Sequence, residues 1–200
     1  PYGLGKGKES GKNNYDQHDD SRENLEKLAK GWLPIARKIC KAVVFSPGVT
    51  NAWIYPEADW VMCWFYGGGQ LRSSWGFNCW QPILAYGKDP YLAKGMGSRP
   101  DAMTMTESAD NKLGHPCSKP IGVWQWIMER GSAVKGDSVY DPFLGSGTTL
   151  IAAEQLGRVC FGMEISEAYT AVVLERASGL GLEPKLLETI EPQATAKDHG

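Results

Sequence analysis

Four residues in the second half of the chain have the types and spacing of a site for the nucleoside part of a cofactor. A short apolar run ends at Asp141, Gly145 and Gly147 follow in a turn, and a second apolar run ends at Glu164. Glycine has no Cβ, so the backbone of such a turn can bend sharply and approach a ligand closely. An acid about twenty residues further on, at the end of the next strand, can accept hydrogen bonds from two ribose hydroxyls. The pattern therefore predicts strand, glycine loop, helix, strand and acid in that order.

Two common phosphate-binding patterns fit this loop poorly. A P-loop has a lysine and then a serine or threonine after its second glycine, whereas Thr148 and Thr149 follow Gly147 directly. ATP or GTP hydrolysis is therefore not expected. A dinucleotide fingerprint has a third glycine or an alanine where this chain has Leu150, which weakens a nicotinamide or flavin interpretation without excluding it. The class that remains is an adenosine cofactor without a pyrophosphate.

Two short segments resemble motifs of the DNA amino-methyltransferases. The segment 141–149 reads Asp-Pro-Phe-Leu-Gly-Ser-Gly-Thr-Thr and is similar to the cofactor box of that family. The segment 115–120 reads His-Pro-Cys-Ser-Lys-Pro and is similar to the His-Pro-x-x-Lys-Pro box that covers the methionine part of the family's cofactor. Both boxes occur here in the family's order. The resemblance therefore implies S-adenosyl-L-methionine as the cofactor.

The same resemblance, carried over residue by residue, implies a set of cofactor-binding residues. Phe143 would lie against the adenine or the methionine chain, Thr148 would bond the carboxylate end, and Glu164 would bond the ribose hydroxyls. Ile165 would flank the adenine. The expected cofactor-binding residues are Ser118, Lys119, Pro120, Asp141, Phe143, Gly145, Gly147, Thr148, Glu164 and Ile165.

The order of the motifs implies that the catalytic half of the domain comes first. The chain resembles the family's β-type members, in which the catalytic signature Asp/Asn/Ser-Pro-Pro-Tyr precedes the cofactor box. Because the chain begins Pro1-Tyr2-Gly3, we interpret Pro1 and Tyr2 as the last two residues of that signature and as the catalytic candidates. Its first two residues do not occur in the sequence. We therefore expect these 200 residues to be a fragment that binds cofactor weakly and methylates poorly or not at all by itself.

The function implied by the resemblance is methyl transfer to N6 of adenine or N4 of cytosine in double-stranded DNA, with the target base flipped out of the duplex. In the family, a polar side chain and a proline carbonyl accept hydrogen bonds from the two N–H groups of the amine. The aromatic ring of the signature, here Tyr2, stacks on the base. Two alternatives remain open at this point. One is a catalytically silent cofactor-binding subunit or remnant, and the other is a methyltransferase that acts on RNA.

The resemblance also implies the fold, a Rossmann-like S-adenosylmethionine-dependent methyltransferase fold of α/β class. It has three α/β/α layers and a mostly parallel, permuted sheet. We expect a single domain over 1–178, with a catalytic half at 1–86, a short target-recognition segment at 87–114 and a cofactor-binding half at 115–178, followed by a flexible tail at 179–200. Apolar spacing predicts helices near 20–40, 119–130, 148–155 and 166–176, and strands at 42–45, 60–66 and 79–86.

The first helix has clear local signals. Ser21 is expected to cap it, and Pro34 to bend or break it. Its predicted inward face consists of Leu25, Leu28, Ala29, Trp32, Ile35, Ala36 and Ile39.

Eight tryptophans are unusual for this length. Their positions within predicted strands favour core packing for Trp60, Trp64 and Trp80. Trp53 and Trp75 lie next to predicted loops, which favours a surface role such as stacking on bases.

Composition limits the class of protein further. The net charge of −2 gives no global basic signature, so any DNA contact must be local. The five cysteines are scattered and only three histidines occur, which argues against a zinc site and for reduced thiols. No metal is expected. No apolar run is long enough to span a membrane, and we expect a cytoplasmic protein of bacterial or phage origin.

Overall fold

The structure, a computed structural model, describes residues 21–68, 72–106 and 119–183. Within these ranges the helices are α1 (Arg22–Ile39), α2 (Pro90–Ala93), α3 (Ile121–Gly131), α4 (Thr148–Leu156) and α5 (Glu167–Gly179), with a 3₁₀ helix at Val49–Ile54. The strands are β1 (Ala42–Phe45), β2 (Trp60–Phe65), β3 (Arg72–Ser73), β4 (Gly76–Phe77), β5 (Trp80–Gly87), β6 (Ala102–Thr104), β7 (Ser138–Asp141) and β8 (Val159–Gly162).

The larger sheet has the strand order β1-β5-β2-β6. β5 runs antiparallel to β1 and β2, whereas β6 runs parallel to β2. β7 and β8 form a separate parallel pair. The predicted α/β class is confirmed, and the sheet is mixed, because the parallel arrangement holds for β2–β6 and β7–β8 but not for β5. The chain returns from β2 to β5 through a short connection that carries the β3–β4 hairpin, and such a connection joins antiparallel neighbours.

Helices cover both faces of the larger sheet. Successive side chains of a strand point to opposite faces, so Ile83 of β5 packs with Val123 and Ile127 of α3, while Leu84 packs with Leu33 of α1. Helix α3 extends this layer toward α4, where another apolar cluster lies between the two helices. The predicted three-layer packing is therefore present around this sheet.

Helix α1 differs from its prediction in two respects. The Ser21 cap is confirmed, because its Oγ accepts a hydrogen bond from the Asn24 N–H at 3.2 Å. Pro34, however, does not break the helix, which continues to Ile39. Pro34 lies on the exposed side, where the carbonyl that loses its partner can be hydrated instead.

The buried stripe of α1 also differs from the predicted face. Leu33 is 2% exposed and was missed, whereas Ile35 is 60% and Ile39 64% exposed. The residues that face the core are spaced three or four apart, as one side of a helix requires. They are Leu25, Ala29, Leu33 and Ala36.

The tryptophans divide between core and surface, and only part of the prediction is correct. Trp64 is buried at 3% exposure, as expected. Trp60 and Trp80, at 60% and 39% exposed, are not core residues, and each is the first residue of its strand rather than a central one. Trp53 and Trp75 are exposed, and their predicted surface position is confirmed.

The predicted target-recognition segment, 87–114, contains two short elements that the sequence did not indicate, the helix α2 and the strand β6. Asp89 caps α2 and also pairs with Arg99, whose Nη2 lies 2.9 Å from its Oδ1. The Arg99 hydrogen bond and two backbone N–H groups hold the pKa of Asp89 below its ordinary value, although burial acts most strongly and in the opposite direction. β6 then joins β2, so part of the predicted recognition segment belongs to the sheet.

Helix α5 ends at Gly179, where the tail was predicted to begin, and the residues beyond 183 lie outside the described ranges. Across the described part of the chain, none of the helices is both long and apolar enough for a membrane span.

Candidate cofactor site

The β7–β8 pair brings the glycine loop and the predicted acid together. Asp141, the last residue of β7, pairs in register with Gly162 of β8. The ladder continues past the strand ends, since the Met163 N–H donates to the Asp141 carbonyl at 2.9 Å. Glu164 therefore emerges beside the loop, and the N–H of Gly145 donates to its Oε2 at 2.7 Å.

The carboxylate of Glu164 is oriented by the backbone and retains acceptor capacity. Its Oε2 accepts from Gly145, and its Oε1 accepts from the Ser166 N–H at 2.8 Å. A carboxylate offers about four lone-pair positions, so these two bonds leave room for two further donors. Two neighbouring hydroxyls, as on a ribose, match that remaining capacity. The residues present thus fit a nucleoside.

Asp141 is engaged inside the loop. Its Oδ1 accepts from the Phe143 N–H at 2.9 Å, and its Oδ2 accepts from the Thr149 hydroxyl at 2.5 Å. The Trp124 indole N–H in turn donates to the Thr149 hydroxyl at 3.0 Å. Burial raises the pKa of Asp141, and the hydrogen bonds from Thr149 and Phe143 oppose that shift. Asp141 therefore ties the start of the loop to α4 and, through Trp124, to α3.

The glycine loop requires its glycines for two separate reasons. Gly145 has φ 55° and Gly147 has φ 83°, both in the left-handed region that side chains disfavour. At Gly147 a Cβ would also lie 3.0 Å from Cγ2 of Val173 on α5. The same helix holds the loop by a polar contact, because Arg176 Nη1 donates to the Ser146 carbonyl at 2.5 Å. Helix α5 therefore packs directly against the loop.

Thr148 and the start of α4 follow the loop. Gly147 is the N-cap residue of α4, and the Thr148 side chain is buried at 7% exposure. The N–H groups in the first turn of a helix lack intrahelical partners and favour anionic groups. The binding of a carboxylate here by Thr148 stays a prediction.

Two apolar side chains border the loop on its open side. Phe143 is 39% exposed and makes an edge-to-face contact with Trp32 of α1, with ring centroids 5.8 Å apart. Ile165, directly after Glu164, is 86% exposed. Side chains placed in this way can cover the faces of a planar base.

The methionine-side candidates are only partly described. Pro120 is buried and is the N-cap residue of α3. Lys119 precedes it and is half-buried. Ser118 and the catalytic candidates Pro1 and Tyr2 lie outside the described residues. The sequence analysis did not identify Thr149, Trp124 and Arg176, whose hydrogen bonds hold the loop in place. For Thr149, the pair of threonines after Gly147 was an available signal.

A separate concavity lies between α1 and the segment around the end of the 3₁₀ helix. Its volume is about 430 Å³ and its lining is mainly apolar, with Leu33, Pro34 and Ile54 among its residues. Within the described part of the chain, no group of histidine, cysteine and acidic side chains is arranged to hold a metal. The convergent hydrogen-bonding groups are at the glycine loop, so we assign the candidate site there.

The raised pKa of Asp141 predicts a specific dependence of stability on pH. Its pKa is raised in the folded protein above the ordinary value of 3.8, so between these two values the folded state binds more protons than the unfolded state. The contribution of Asp141 to stability is therefore complete below pH 3.8. It is lost as the pH rises through the pKa that Asp141 has in the folded protein. Asp141→Asn cannot titrate. We expect the unfolding free energy of the wild type, minus that of Asp141→Asn, to fall with rising pH.

Urea denaturation of both proteins at pH values on either side of 3.8 measures this difference. Asp89 and Asp137, whose pKa values are lowered, lose their stabilising contribution as the pH falls, but they are present in both proteins and cancel in the difference. A difference that stays constant or rises with pH would contradict the raised pKa.

The geometry first defines a class. A parallel strand pair that ends in a glycine loop and an acid, within an α/β domain, is a nucleoside-cofactor site of the Rossmann-like kind. A family model described as DNA methylase, for the N6 and N4 type, matches residues 4–175. The match covers most of the chain, and the protein belongs to this DNA methylase family.

Several known proteins are similar to this chain. The type II methyltransferase M2.DpnII of Streptococcus pneumoniae is 34% identical over 77 residues, which are 36% of this chain and 27% of that protein. M.ScaI of Streptomyces caespitosus is 36% identical over 69 residues, 34% of this chain and 22% of that protein. The matched segments thus span about a quarter of the relatives' length.

Two solved structures share the fold. The M1.HpyAVI–SAM complex has a TM-score of 0.57 and 18% identity, covering 76% of this chain and 83% of that one. A DNA modification methylase-like protein of Thermus thermophilus, complexed with S-adenosyl-L-methionine, has a TM-score of 0.51 and 19% identity. The match covers 80% of this chain and 79% of that one. These likenesses confirm the predicted Rossmann-like methyltransferase fold.

Proposed function

We propose that this protein transfers a methyl group from S-adenosyl-L-methionine to an exocyclic amine of DNA, at N6 of adenine or N4 of cytosine. The observation that carries the proposal is the Glu164 carboxylate. The N–H of Gly145 in the family's cofactor box orients it, and it retains two acceptor positions for a ribose. Membership of the DNA methylase family over residues 4–175 supports the acceptor.

The described residues have distinct tasks in binding this cofactor. Glu164 receives the ribose hydroxyls, while Phe143 and Ile165 cover the adenine. Gly145 and Gly147 let the backbone approach, and the first turn of α4 favours the carboxylate end. When bound, the cofactor supplies an electrophilic methyl group on a positively charged sulfur.

The acceptor amine needs activation, because its lone pair is delocalised into the base. A polar side chain and a proline carbonyl can each accept a hydrogen bond from one of the two amine N–H groups. These hydrogen bonds draw the nitrogen toward tetrahedral geometry. With the cofactor held by Glu164, Phe143 and Ile165, its sulfonium would supply the methyl group to this nitrogen, the sulfur would be left as a neutral thioether, and the proton of the amine would pass to water. Position and electrostatics supply most of the rate. On the resemblance alone, we propose Tyr2 as the ring that stacks on the flipped base, and Pro1 as the residue that precedes it in the catalytic signature.

The proposed partner is double-stranded DNA with a flipped target base, and the proposed location is the cytoplasm. With a net charge of −2, the protein attracts DNA through a local surface rather than through its overall field. Local aromatic and hydrogen-bonding contacts therefore have to supply much of the affinity.

A transfer assay tests the proposal. The protein expressed from its complete gene is incubated with methyl-tritiated S-adenosyl-L-methionine and with unmethylated genomic DNA or total RNA. We expect tritium in DNA and background in RNA, and we expect Glu164→Ala to reduce the incorporation at low cofactor concentration. Tritium in RNA alone, or in neither RNA nor DNA, would contradict the proposed acceptor.

A further inference from the structure

The most exposed tryptophan of the described chain sits at the turn of the β3–β4 hairpin. Ser73 pairs with Gly76, so Ser74 and Trp75 form the turn, and Trp75 is 97% exposed. Phe77, on β4, is 64% exposed. A group of exposed apolar side chains indicates an interaction site more strongly than an isolated one, and here Trp75 and Phe77 are exposed on the same hairpin.

The base of the hairpin is anchored to the core. Tyr66 is 7% exposed, and its hydroxyl donates to the Asn78 carbonyl at 3.2 Å and to the Asn78 Oδ1. Its N–H donates to the Cys79 carbonyl at 3.0 Å. The hairpin therefore presents Trp75 from a fixed base.

A second exposed tryptophan lies at the same edge of the sheet. Both β1 and β2 run antiparallel to β5 and therefore point the same way, but β1 ends opposite Leu84 and β2 ends four residues further along, opposite Trp80. The chain after β1 spans this offset, because a Cβ on Gly48 would lie 3.8 Å from Oε1 of Gln81. Trp53, which is 87% exposed, lies in the 3₁₀ helix after β1, and Trp75 lies in the hairpin after β2. The two indoles thus belong to the loops of one sheet edge.

The candidate cofactor loop lies at this edge as well. The ring of Trp32 contacts Phe45, the last residue of β1, at 4.9 Å and Phe143, in the loop after β7, at 5.8 Å. This chain of aromatic contacts joins the end of β1 to the loop that holds Gly145 and Glu164. Tyr55, two residues after Trp53, contacts the same Trp32 ring at 6.3 Å, so the 3₁₀ helix that carries Trp53 lies near the cofactor loop.

The hairpin that carries Trp75 has no acidic residue, whereas Glu57 and Asp59 follow Trp53 closely. The sequence has 23 acidic residues, yet none lies within 48–56 or 60–87. Arg72, in β3, is the single charged residue of these two segments. A hairpin without carboxylates can approach phosphates without repulsion.

We propose that Trp75 is a wedge that stacks on DNA bases beside the site where the target base leaves the duplex, with Trp53 as a second contact on the same surface. The proposal rests on the proposed function, because it takes DNA as the substrate. Apolar side chains that enter between base steps occupy the space of an unstacked base, and stacking tolerates any sequence because every base has a π-face. Such contacts suit a protein that has no global positive charge.

Fluorescence anisotropy with a labelled duplex tests the wedge in the intact protein. Stacking on one base is worth enough that Trp75→Ala should weaken duplex binding by about fivefold or more, and Trp75→Phe should retain most of the affinity. The matched control is Trp60→Ala, which removes a 60% exposed tryptophan from the start of β2, at the opposite edge. We expect it to bind the duplex like the wild type. Calorimetry should show unchanged S-adenosyl-L-methionine affinity in all three variants.

The outcomes separate the wedge from the function on which it rests. If the wild type binds and methylates DNA and Trp75→Ala binds the duplex equally well, the wedge is overturned and the proposed function stands. If the wild type binds no DNA, both are overturned. If Trp75→Ala leaves DNA affinity unchanged but dissociates a dimer in light scattering, the surface joins two copies of the chain, which also overturns the wedge.

Discussion

Glu164→Ala is expected to weaken S-adenosyl-L-methionine binding by at least about tenfold, because each hydrogen bond between a hydroxyl and a charged carboxylate contributes about 1.5–3 kcal/mol. The substitution removes both acceptors for the ribose. It also releases the N–H groups of Gly145 and Ser166, so the loop itself loses its orientation. Isothermal titration calorimetry measures the affinity directly.

Two further variants separate the ribose contact from its side effects. Glu164→Gln keeps the shape and one acceptor oxygen, so its affinity should lie between those of the wild type and Glu164→Ala. Glu167→Ala removes an exposed acid in the first turn of α5 and should leave the affinity unchanged. Unchanged affinity in Glu164→Ala, with the protein folded, would refute the ribose role.

Gly147→Ala is expected to reduce the free energy of unfolding by about 2 kcal/mol or more, since a side chain at left-handed φ costs roughly 1–2 kcal/mol and overpacking adds about 1–3 kcal/mol. Both terms apply at this position. Its φ is 83°, and a Cβ would lie 3.0 Å from Cγ2 of Val173. Because Val173 is buried at 8% exposure, it cannot move aside without disturbing α5. Urea denaturation gives the change in stability.

Gly136 provides a matched control for the free-energy cost of placing a side chain at a left-handed φ. Its φ is 82°, but a Cβ there would meet nothing within 4 Å. Gly136→Ala should therefore show only the cost of the left-handed conformation, and Gly147→Ala should exceed it. Adding Val173→Ala to Gly147→Ala should recover part of the difference. Equal losses at the two glycines would contradict a close approach between the loop and α5.

The cofactor half could be predicted from the sequence because its signals are local. Gly147 begins α4 and Gly157 ends it, each with a left-handed φ that glycine supplies. Ser166, at the start of the helix predicted near 166–176, caps α5 by accepting a hydrogen bond from the N–H of Tyr169. Each of these signals acts within a few residues, so the order strand, glycine loop, helix, strand and acid required no knowledge of the tertiary fold.

The features that were missed depend on distant parts of the chain. β6 contains three residues and exists because Cys63 and its neighbours in β2 pair with it. The exposure of Trp60 depends on how the rest of the folded chain surrounds the first residue of β2. The contact from Trp124 through Thr149 to Asp141 spans two helices and a loop. Neither periodicity nor motif spacing carries such information.

The central claim is methylation of an exocyclic amine in DNA, and nucleoside mass spectrometry tests it most directly. Unmethylated genomic DNA is incubated with the protein and with S-adenosyl-L-methionine that carries a trideuterated methyl group, and is then digested to nucleosides. We predict labelled N6-methyladenine or N4-methylcytosine, with the signal lost in Glu164→Ala at low cofactor concentration. Label on a ring carbon of cytosine, or on no DNA base at all, would contradict the claim.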